Sequence, residues 1–409
     1  MSRLLLIGIN YWLEVTGIAP YTTELAEHLA ARGNRVSVLT GFPYYPQWRI
    51  HGGYYRHLRP YLVEQRNGVK VIRCPLLLPR SRQTAFRRIL FDSSIAASTL
   101  LAGIANARQD LVICISPPLQ LGVTARFLAR LGGARLMLHL QDLVPDAAIA
   151  AGMIADGFAT RIARKLELFV YKHADKITVV SQGFLENLVA KGVPRPKLRL
   201  LANWVDVGRF AGAQHPYLRE QLGAANGETL VLHTGNMGAK QGLETVVEAT
   251  ALLRADKVVV GLVGDGQVRR RLEKRAKDLK LTNLRFVELQ DDYPSTLACA
   301  DILVLSQRGR MIDSVAPSKL LSYMAAGKPV AAAVDAESEA GRLIRRAGCG
   351  VVVPPDEPQA LAKAIRSLAG DRSSWAAMGA AGKREVERNY DQRALLTQWE
   401  EVVRDLVRR

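Results

Sequence analysis

A chain of 409 residues with 48% hydrophobic and 23% charged side chains has a globular balance, which excludes a disordered chain, an autonomous mini-fold and a multi-span membrane protein. At roughly 150 residues per domain, the length predicts two to three domains. Lys and Arg total 56 against 38 Asp and Glu, a formal charge of +18 whose field attracts anions such as phosphates and acidic lipids.

The apolar run at residues 4–9 is too short for a signal peptide and predicts a first strand. A loop carrying Gly17 follows, then a helix with Leu25, Ala26 and Leu29 on its apolar face, stopped at Gly33-Asn34. Further strands are predicted over residues 35–40, 69–72, 111–115, 136–140 and 177–180, alternating with helical patterns as in a doubly wound α/β domain. Residues 89–105 form the longest apolar stretch, but Asp92 and several serines interrupt it. It falls short of the roughly 20 apolar residues of a spanning helix, so any membrane contact would be peripheral. Residues 80–91 set Arg80, Arg82, Arg87 and Arg88 among Phe86, Ile89 and Leu90 at helical spacing. That pattern suits an anionic membrane, and it also suits the commoner basic, solvated face over a core stripe.

A break at Val193-Pro194-Arg195-Pro196 precedes a short strand at 198–201 and an irregular stretch to about Gly227. A second α/β unit then begins, with strands predicted over 230–233, 258–263, 284–287, 302–306, 329–333 and 350–353. The domains expected are 1–200, joined by a final helix at about 390–409, and 201–389. Open α/β sheets bind ligands beyond the carboxyl ends of their strands, so two such domains facing each other would place a site in the cleft between them.

Strand 230–233 leads into Thr234-Gly235-Asn236-Met237-Gly238-Ala239-Lys240-Gln241-Gly242. Glycines there let backbone N–H groups approach an anion at a helix N-terminus, with Lys240 as an added charge, although an ordinary glycine turn with a solvated lysine fits as well. Further on, Val315-Ala316-Pro317-Ser318-Lys319 places Ser318 as an N-cap and Lys319 in a first turn, where a cation opposes the helix dipole unless an anion lies between them. A solvent-facing Lys319 is the alternative. Val263-Gly264-Asp265-Gly266 opens a helix from Gln267 to about residue 280, with Asp265 as its expected cap. His139, at the carboxyl end of strand 136–140 and three residues before Asp142, is either a functional group or a satisfied core histidine.

There is no HExxH, Walker loop or Asp-x-Asp triplet, and Cys74, Cys114, Cys299 and Cys349 stand too far apart for a zinc knuckle or disulfide framework. A metal-independent, cofactor-free protein in a reducing cytoplasm is therefore expected, with lysines and helix ends neutralising any diphosphate.

Gly235 to Gly242, Gly264-Asp265-Gly266, and Pro317-Ser318-Lys319 followed by Met324-Ala325-Ala326-Gly327-Lys328-Pro329-Val330 resemble the retaining GT-B glycosyltransferases of family 4. Tyr11-Trp12-Leu13-Glu14-Val15-Thr16-Gly17-Ile18-Ala19 and Phe42-Pro43-Tyr44-Tyr45-Pro46 look like the colanic-acid type of exopolysaccharide transferase. The resemblance spans nearly the whole chain. It implies two Rossmann-like domains facing across a cleft and a final helix over about 392–406 that crosses back to the first. The C-terminal domain would hold a nucleotide-sugar donor, such as GDP-fucose or a UDP-sugar. The N-terminal one would hold a saccharide or polyprenyl-diphosphate-linked acceptor.

His139, Lys240 and Lys319 are the catalytic candidates that follow from it. Substrate contacts fall to Gly17, Asp142, Gly235, Asn236, Gln241 and Gly264, and to Asp265, Asp313, Pro317, Ser318 and Ser322. Two positions depart from the family pattern. Asn236 stands where an arginine is common, and Ser314 and Ser322 stand where paired glutamates are common, a Pro-Ser-Lys variant in which Ser318 and Lys319 would take over phosphate contacts. The rival functions are a nucleotide-sugar epimerase and, from the charge alone, a nucleic-acid-binding protein. The aromatic content of 6% and the lack of a recognisable module count against the latter. A cytoplasmic location is expected, with any membrane contact on the inner face of the plasma membrane.

Overall fold

The computed structural model describes residues 1–15, 17–45, 48–54, 60–79, 85–106, 108–143, 157–213, 216–290, 292–309 and 318–408. The chain divides into two compact units, Met1–Ala202 with Leu395–Arg409, and Asn203–Ala394.

The first unit runs β1 (Arg3–Ile7), α1 (Ala19–Ala31), β2 (Arg35–Gly41), β3 (Leu62–Arg66), β4 (Val69–Cys74), α2 (Ala85–Ile104), β5 (Leu111–Ser116) and α3 (Gln120–Gly132). It continues with β6 (Arg135–Leu140), α4 (Phe158–His173), β7 (Lys176–Val179), α5 (Gln182–Ala190) and β8 (Leu198–Leu200). Among the described residues the strands form one sheet in the order β3-β4-β2-β1-β5-β6-β7-β8. Every pairing is parallel except β3 with β4. Helices cover both faces of the central strands, and β5 is buried at every position, which is why these strands read as unbroken apolar runs. The β3–β4 hairpin does not follow from the strand pattern above: Leu62–Arg66 is a half-exposed edge strand, and its turn is Asn67-Gly68 with φ of 46° and 80°.

The second unit contains α6 (Pro216–Gln221), β9 (Thr229–Thr234), α7 (Glu244–Leu252), β10 (Val258–Val263), α8 (Arg269–Asp278), β11 (Leu284–Val287), α9 (Tyr293–Ala298) and β12 (Ile302–Ser306). After these come α10 (Ser318–Ala325), β13 (Val330–Ala333), α11 (Glu339–Ala347), β14 (Gly350–Val353), α12 (Pro358–Gly370) and α13 (Trp375–Asn389). Its sheet is parallel throughout, in the order β11-β10-β9-β12-β13-β14. Strand order reverses between β9 and β12, so the carboxyl end of β9 is the switch point at which such sheets open a crevice.

The last helix, α14 (Gln392–Arg408), returns to the first unit from Leu395 onward, as the family resemblance implies. Leu395, Leu396, Trp399, Val402 and Val403 are buried. Trp399 meets the His139 ring edge-on at 4.8 Å. Glu400 Oε1 lies 2.5 Å from His28 Nε2 and accepts from Arg32 Nε at 2.9 Å, tying α14 to α1. Replacing Trp399 by Ala leaves a cavity beside His139 and is expected to cost about 3–5 kcal/mol. Chemical denaturation of the full chain measures this, and an unchanged midpoint would mean that the helix does not support the first unit.

Candidate functional site

The residues at the switch point of the second unit are held by two glycine turns pressed backbone to backbone. Gly235, with φ +99°, follows β9, and Gly264, with φ +138°, follows β10. A Cβ on Gly264 would lie 2.1 Å from the Gly235 carbonyl oxygen, so only glycine permits the approach. Gly235 N–H donates to the Val263 carbonyl and Met237 N–H to that of Asp265, each at 2.8 Å, while the Gly238 N–H is taken by Gln241 Oε1 at 3.1 Å. These amides were expected to cradle an anion. The Gly235 and Met237 amides join the two turns, that of Gly238 is held within its own turn, and cationic side chains stand beside them.

Lys319, in the first turn of α10, is the first of those cations. Its Nζ lies 3.0 Å from His233 Nε2, near the end of β9, and the open side of Gly235 receives it: a Cβ there would stand 3.6 Å from the ammonium nitrogen. Burial lowers the Lys319 pKa to about 7, with no carboxylate among the described residues opposing it. His233 is fully buried, and burial together with the Lys319 charge holds it well below its ordinary pKa. The imidazole is therefore neutral, and below about pH 7 Lys319 is an ammonium that can donate to it. Two phenols close the floor: Tyr323 Oη accepts from the Thr234 N–H at 3.0 Å, and Tyr293 bonds both Thr234 Oγ1 and Ser322.

Lys240 stands beyond the turn, partly exposed, and its ammonium has no hydrogen bond or ion pair among the described residues. Arg308, two residues past β12, fixes its backbone: the Arg308 N–H donates to the Lys240 carbonyl at 3.1 Å and Nε to that of Ala239 at 2.9 Å. Glu244, in the first turn of α7, pairs with Arg271 and Arg308, so a carboxylate already faces that helix end.

Three local expectations change. Ser318 is the first residue of α10 rather than its cap. Asp265 accepts from the Gly266 N–H at 2.7 Å and does not cap α8, which begins at Arg269. Gln241 folds back on Gly238 and Asn236 lies over Gly238 and Gly266, so both brace the loop. Asp313, Ser314 and Pro317 lie outside the described residues. His233, Tyr293, Tyr323 and Arg308 were missed. His233 and Arg308 both occur at strand carboxyl ends, the same signal that singled out His139.

In the first unit, Glu14 joins the two N-terminal motifs. Its Oε1 accepts from the Tyr44 and Tyr45 N–H groups at 2.8 Å each, and its Oε2 from Asn10 Nδ2 at 2.7 Å. Burial raises the Glu14 pKa while these bonds oppose the rise. Gly17, φ +68°, sits in this loop, and a Cβ on it would meet the Tyr45 ring at 3.5 Å. His139 is committed to neighbours: Nδ1 to Thr178 Oγ1 and Nε2 to the Gln141 amide, 2.9 Å each, with burial lowering its pKa to about 3. Both ring nitrogens are thus engaged, and Gln141 and Asp142 follow at the end of β6.

Two doubly wound sheets, each with its polar groups gathered at strand carboxyl ends, define the GT-B class. The solved structures agree in fold: sucrose-phosphate synthase from Thermosynechococcus elongatus superposes with TM-score 0.78 at 20% identity, covering 99% of both chains. Anabaena HepE in complex with UDP-glucose gives 0.73 at 18%, covering 99% of this chain and 100% of that one. Residues 16–204 match the glycosyl transferase 4-like domain and residues 228–371 match the glycosyl transferases group 1 domain. A putative colanic acid biosynthesis glycosyl transferase, WcaI of Escherichia coli K12, is 35% identical over 89% of this chain and 91% of its own length. The chain belongs to this glycosyltransferase family.

Gly264→Ala forces a clash with the Gly235 carbonyl and a strained φ. A loss of at least about 2 kcal/mol is expected, read as a lower denaturation midpoint; full retention would refute the close approach.

Proposed function

We propose that this glycosyltransferase moves a sugar, with retention, from a nucleoside-diphosphate donor on the second unit to a saccharide or polyprenyl-diphosphate-linked saccharide in exopolysaccharide biosynthesis. The observation that carries this reading is Lys319: a half-buried amine at the β9 switch point, 3.0 Å from His233 and facing no carboxylate among the described residues. A diphosphate supplies the missing anion. The colanic acid assignment of the Escherichia coli relative favours an exopolysaccharide acceptor, and the donors considered are GDP-fucose and a UDP-sugar.

In the reaction, the bond from the anomeric carbon to the diphosphate oxygen breaks, and its electron pair stays on the phosphate. Lys319 and Lys240 stabilise that growing charge. The acceptor hydroxyl attacks the oxocarbenium-like sugar from the same face and passes its proton to the departing phosphate. Neither a metal nor a protein nucleophile is required for this sequence. His139 holds the Gln141 amide at the end of β6, and Gly17 keeps its loop free of a side chain on the acceptor's unit. An acceptor on a polyprenyl diphosphate lies in a bilayer, which puts the enzyme at the inner face of the cytoplasmic membrane as a peripheral protein.

Lys240→Ala is expected to lower kcat at least about 100-fold with an unchanged thermal midpoint, and wild-type turnover would end the proposal. A thermal-shift titration with UDP, GDP and their sugars identifies the donor, because ligand that binds the folded state raises the midpoint.

The pKa of Lys319 sets a pH dependence. Above about pH 7 Lys319 is neutral in the free site, so a diphosphate that pairs with it must recruit a proton as it binds. Affinity is expected to fall about tenfold per pH unit above that value. Lys319→Arg remains charged and flattens the profile. Isothermal titration across pH 6–9 measures both, and a wild-type affinity independent of pH would separate Lys319 from the ligand.

A further inference from the structure

The loop after β1 is held more firmly than a connection needs. The Glu14 N–H donates to the Tyr11 carbonyl at 3.2 Å and closes a turn across Trp12 and Leu13. Leu13, third in that turn, has φ +77°, a left-handed conformation for which glycine or asparagine is the usual residue. A leucine there carries strain that its surroundings must overrule, and such strain collects at functional positions.

What overrules it comes from two sides. On one side stand the Glu14 bonds to Asn10, Tyr44 and Tyr45. On the other is the β3–β4 hairpin, through Arg73 near the end of β4, a residue with 0% exposure. Its Nη2 donates to the Trp12 carbonyl and its Nε to Glu64 Oε2 of β3, at 2.9 Å each. Tyr54 Oη donates to the other Glu64 oxygen at 2.8 Å. Arg66, from the same hairpin, lies over the Trp12 ring at 4.4 Å and pairs with Glu27 of α1 at 2.6 Å.

A buried ion pair is a poor source of stability, since apolar side chains of similar volume often replace one without loss. Arg73 is costlier than most, because its Nη1 has no hydrogen-bond partner among the described residues. Its bond to the Trp12 carbonyl ties the hairpin to the loop, so what the burial secures is the position of the loop.

The loop stands at the carboxyl end of β1, and strand order reverses between β1 and β5, which makes this the switch point of the first unit. The two ion pairs behind it cancel in charge, and Glu14 is taken up by internal bonds. Val15 and Gly17 are exposed and uncharged. Such an edge suits the rings and hydroxyls of a saccharide and offers a diphosphate no cation among its described residues.

We propose that Arg73 is a positioning residue for the acceptor: it latches the Trp12 carbonyl so that the turn at Leu13 is already in place when the saccharide end of the acceptor docks against Val15 and Gly17. This rests on the reading above that the first unit takes the acceptor, and it adds the group that prepares that unit to do so.

The assay uses the full chain, GDP-fucose and UDP-glucose as the donors offered, and oligosaccharides released from colanic acid as the acceptor probe. Arg73→Lys keeps a charge beside Glu64, but a single ammonium does not span Glu64 and the Trp12 carbonyl as the guanidinium does. It is expected to raise the acceptor KM at least about tenfold with a much smaller change in kcat, and to leave thermal shifts with UDP and GDP as they are. Leu13→Gly removes the strain and frees the loop, so it should raise KM in the same way without lowering the thermal midpoint. A purely structural role would move stability and KM together. An unchanged KM in both variants, or a kcat that falls in step with the thermal midpoint, overturns the proposal. Amide exchange reads the latch without any substrate: residues 11–15 should exchange at least about tenfold faster in Arg73→Lys, with β9 and β10 unaltered. Equal exchange in variant and wild type refutes the latch. Absent transfer by the wild type, with the faster exchange present in the variant, would instead remove the donor and acceptor reading and leave the latch standing.

Discussion

A half-buried cation with no carboxylate opposing it among the described residues is unstable by itself, and the second unit is organised around one. Lys319 tolerates its position because a neutral imidazole accepts from it and because Gly235, lacking a Cβ, leaves space for it. His233 can accept only while unprotonated, and complete burial keeps it so. The glycine pair Gly235 and Gly264, the phenols of Tyr293 and Tyr323, and the brace from Arg308 all serve to fix the short segment on which this contact stands. Remove the backbone approach of the two turns and the lysine loses its seat.

The first unit uses the opposite charge for a related purpose. Glu14 is buried in the turn after β1 and accepts three hydrogen bonds, two of them from the backbone at Tyr44 and Tyr45. A carboxylate in that setting is a structural clasp: it gives the amides of a buried turn the acceptor they need and fixes the loop carrying Gly17 relative to the segment after β2. Each unit therefore places one buried ionisable group at the carboxyl end of its first strand. In the first that group organises backbone, and in the second it stands beside the switch point of the sheet.

Most of the sheet architecture was legible because strands covered by helices on both faces are continuous apolar runs. Residues 258–263, 284–287, 302–306 and 350–353 coincide with β10, β11, β12 and β14. The exposed edge strand β3 was illegible by that signal, although Asn67-Gly68 marked its turn. Glycine motifs located the switch point in the second unit, and the structure adds a use that the motifs do not spell out: the glycines permit contact between turns, with the Gly235, Met237 and Gly238 amides bonded within them. Which amides are engaged depends on pairing with β10, twenty-odd residues away in sequence, and no local pattern contains that. The same holds for His233, which becomes noticeable only when Lys319 arrives from another helix, and for His139, whose partners Thr178 and Trp399 come from β7 and α14.

The return of α14 also sets an order of events during synthesis. Leu395, Trp399 and Val403 pack into a unit whose other residues end at Ala202, so the intervening Asn203–Ala394 must be translated before that packing can occur. Until then the nascent first unit shows the ribosome exit and its chaperones an uncovered apolar strip beside His139. A chain truncated before residue 395 would be left permanently in that immature condition, even though every strand of both sheets had been made.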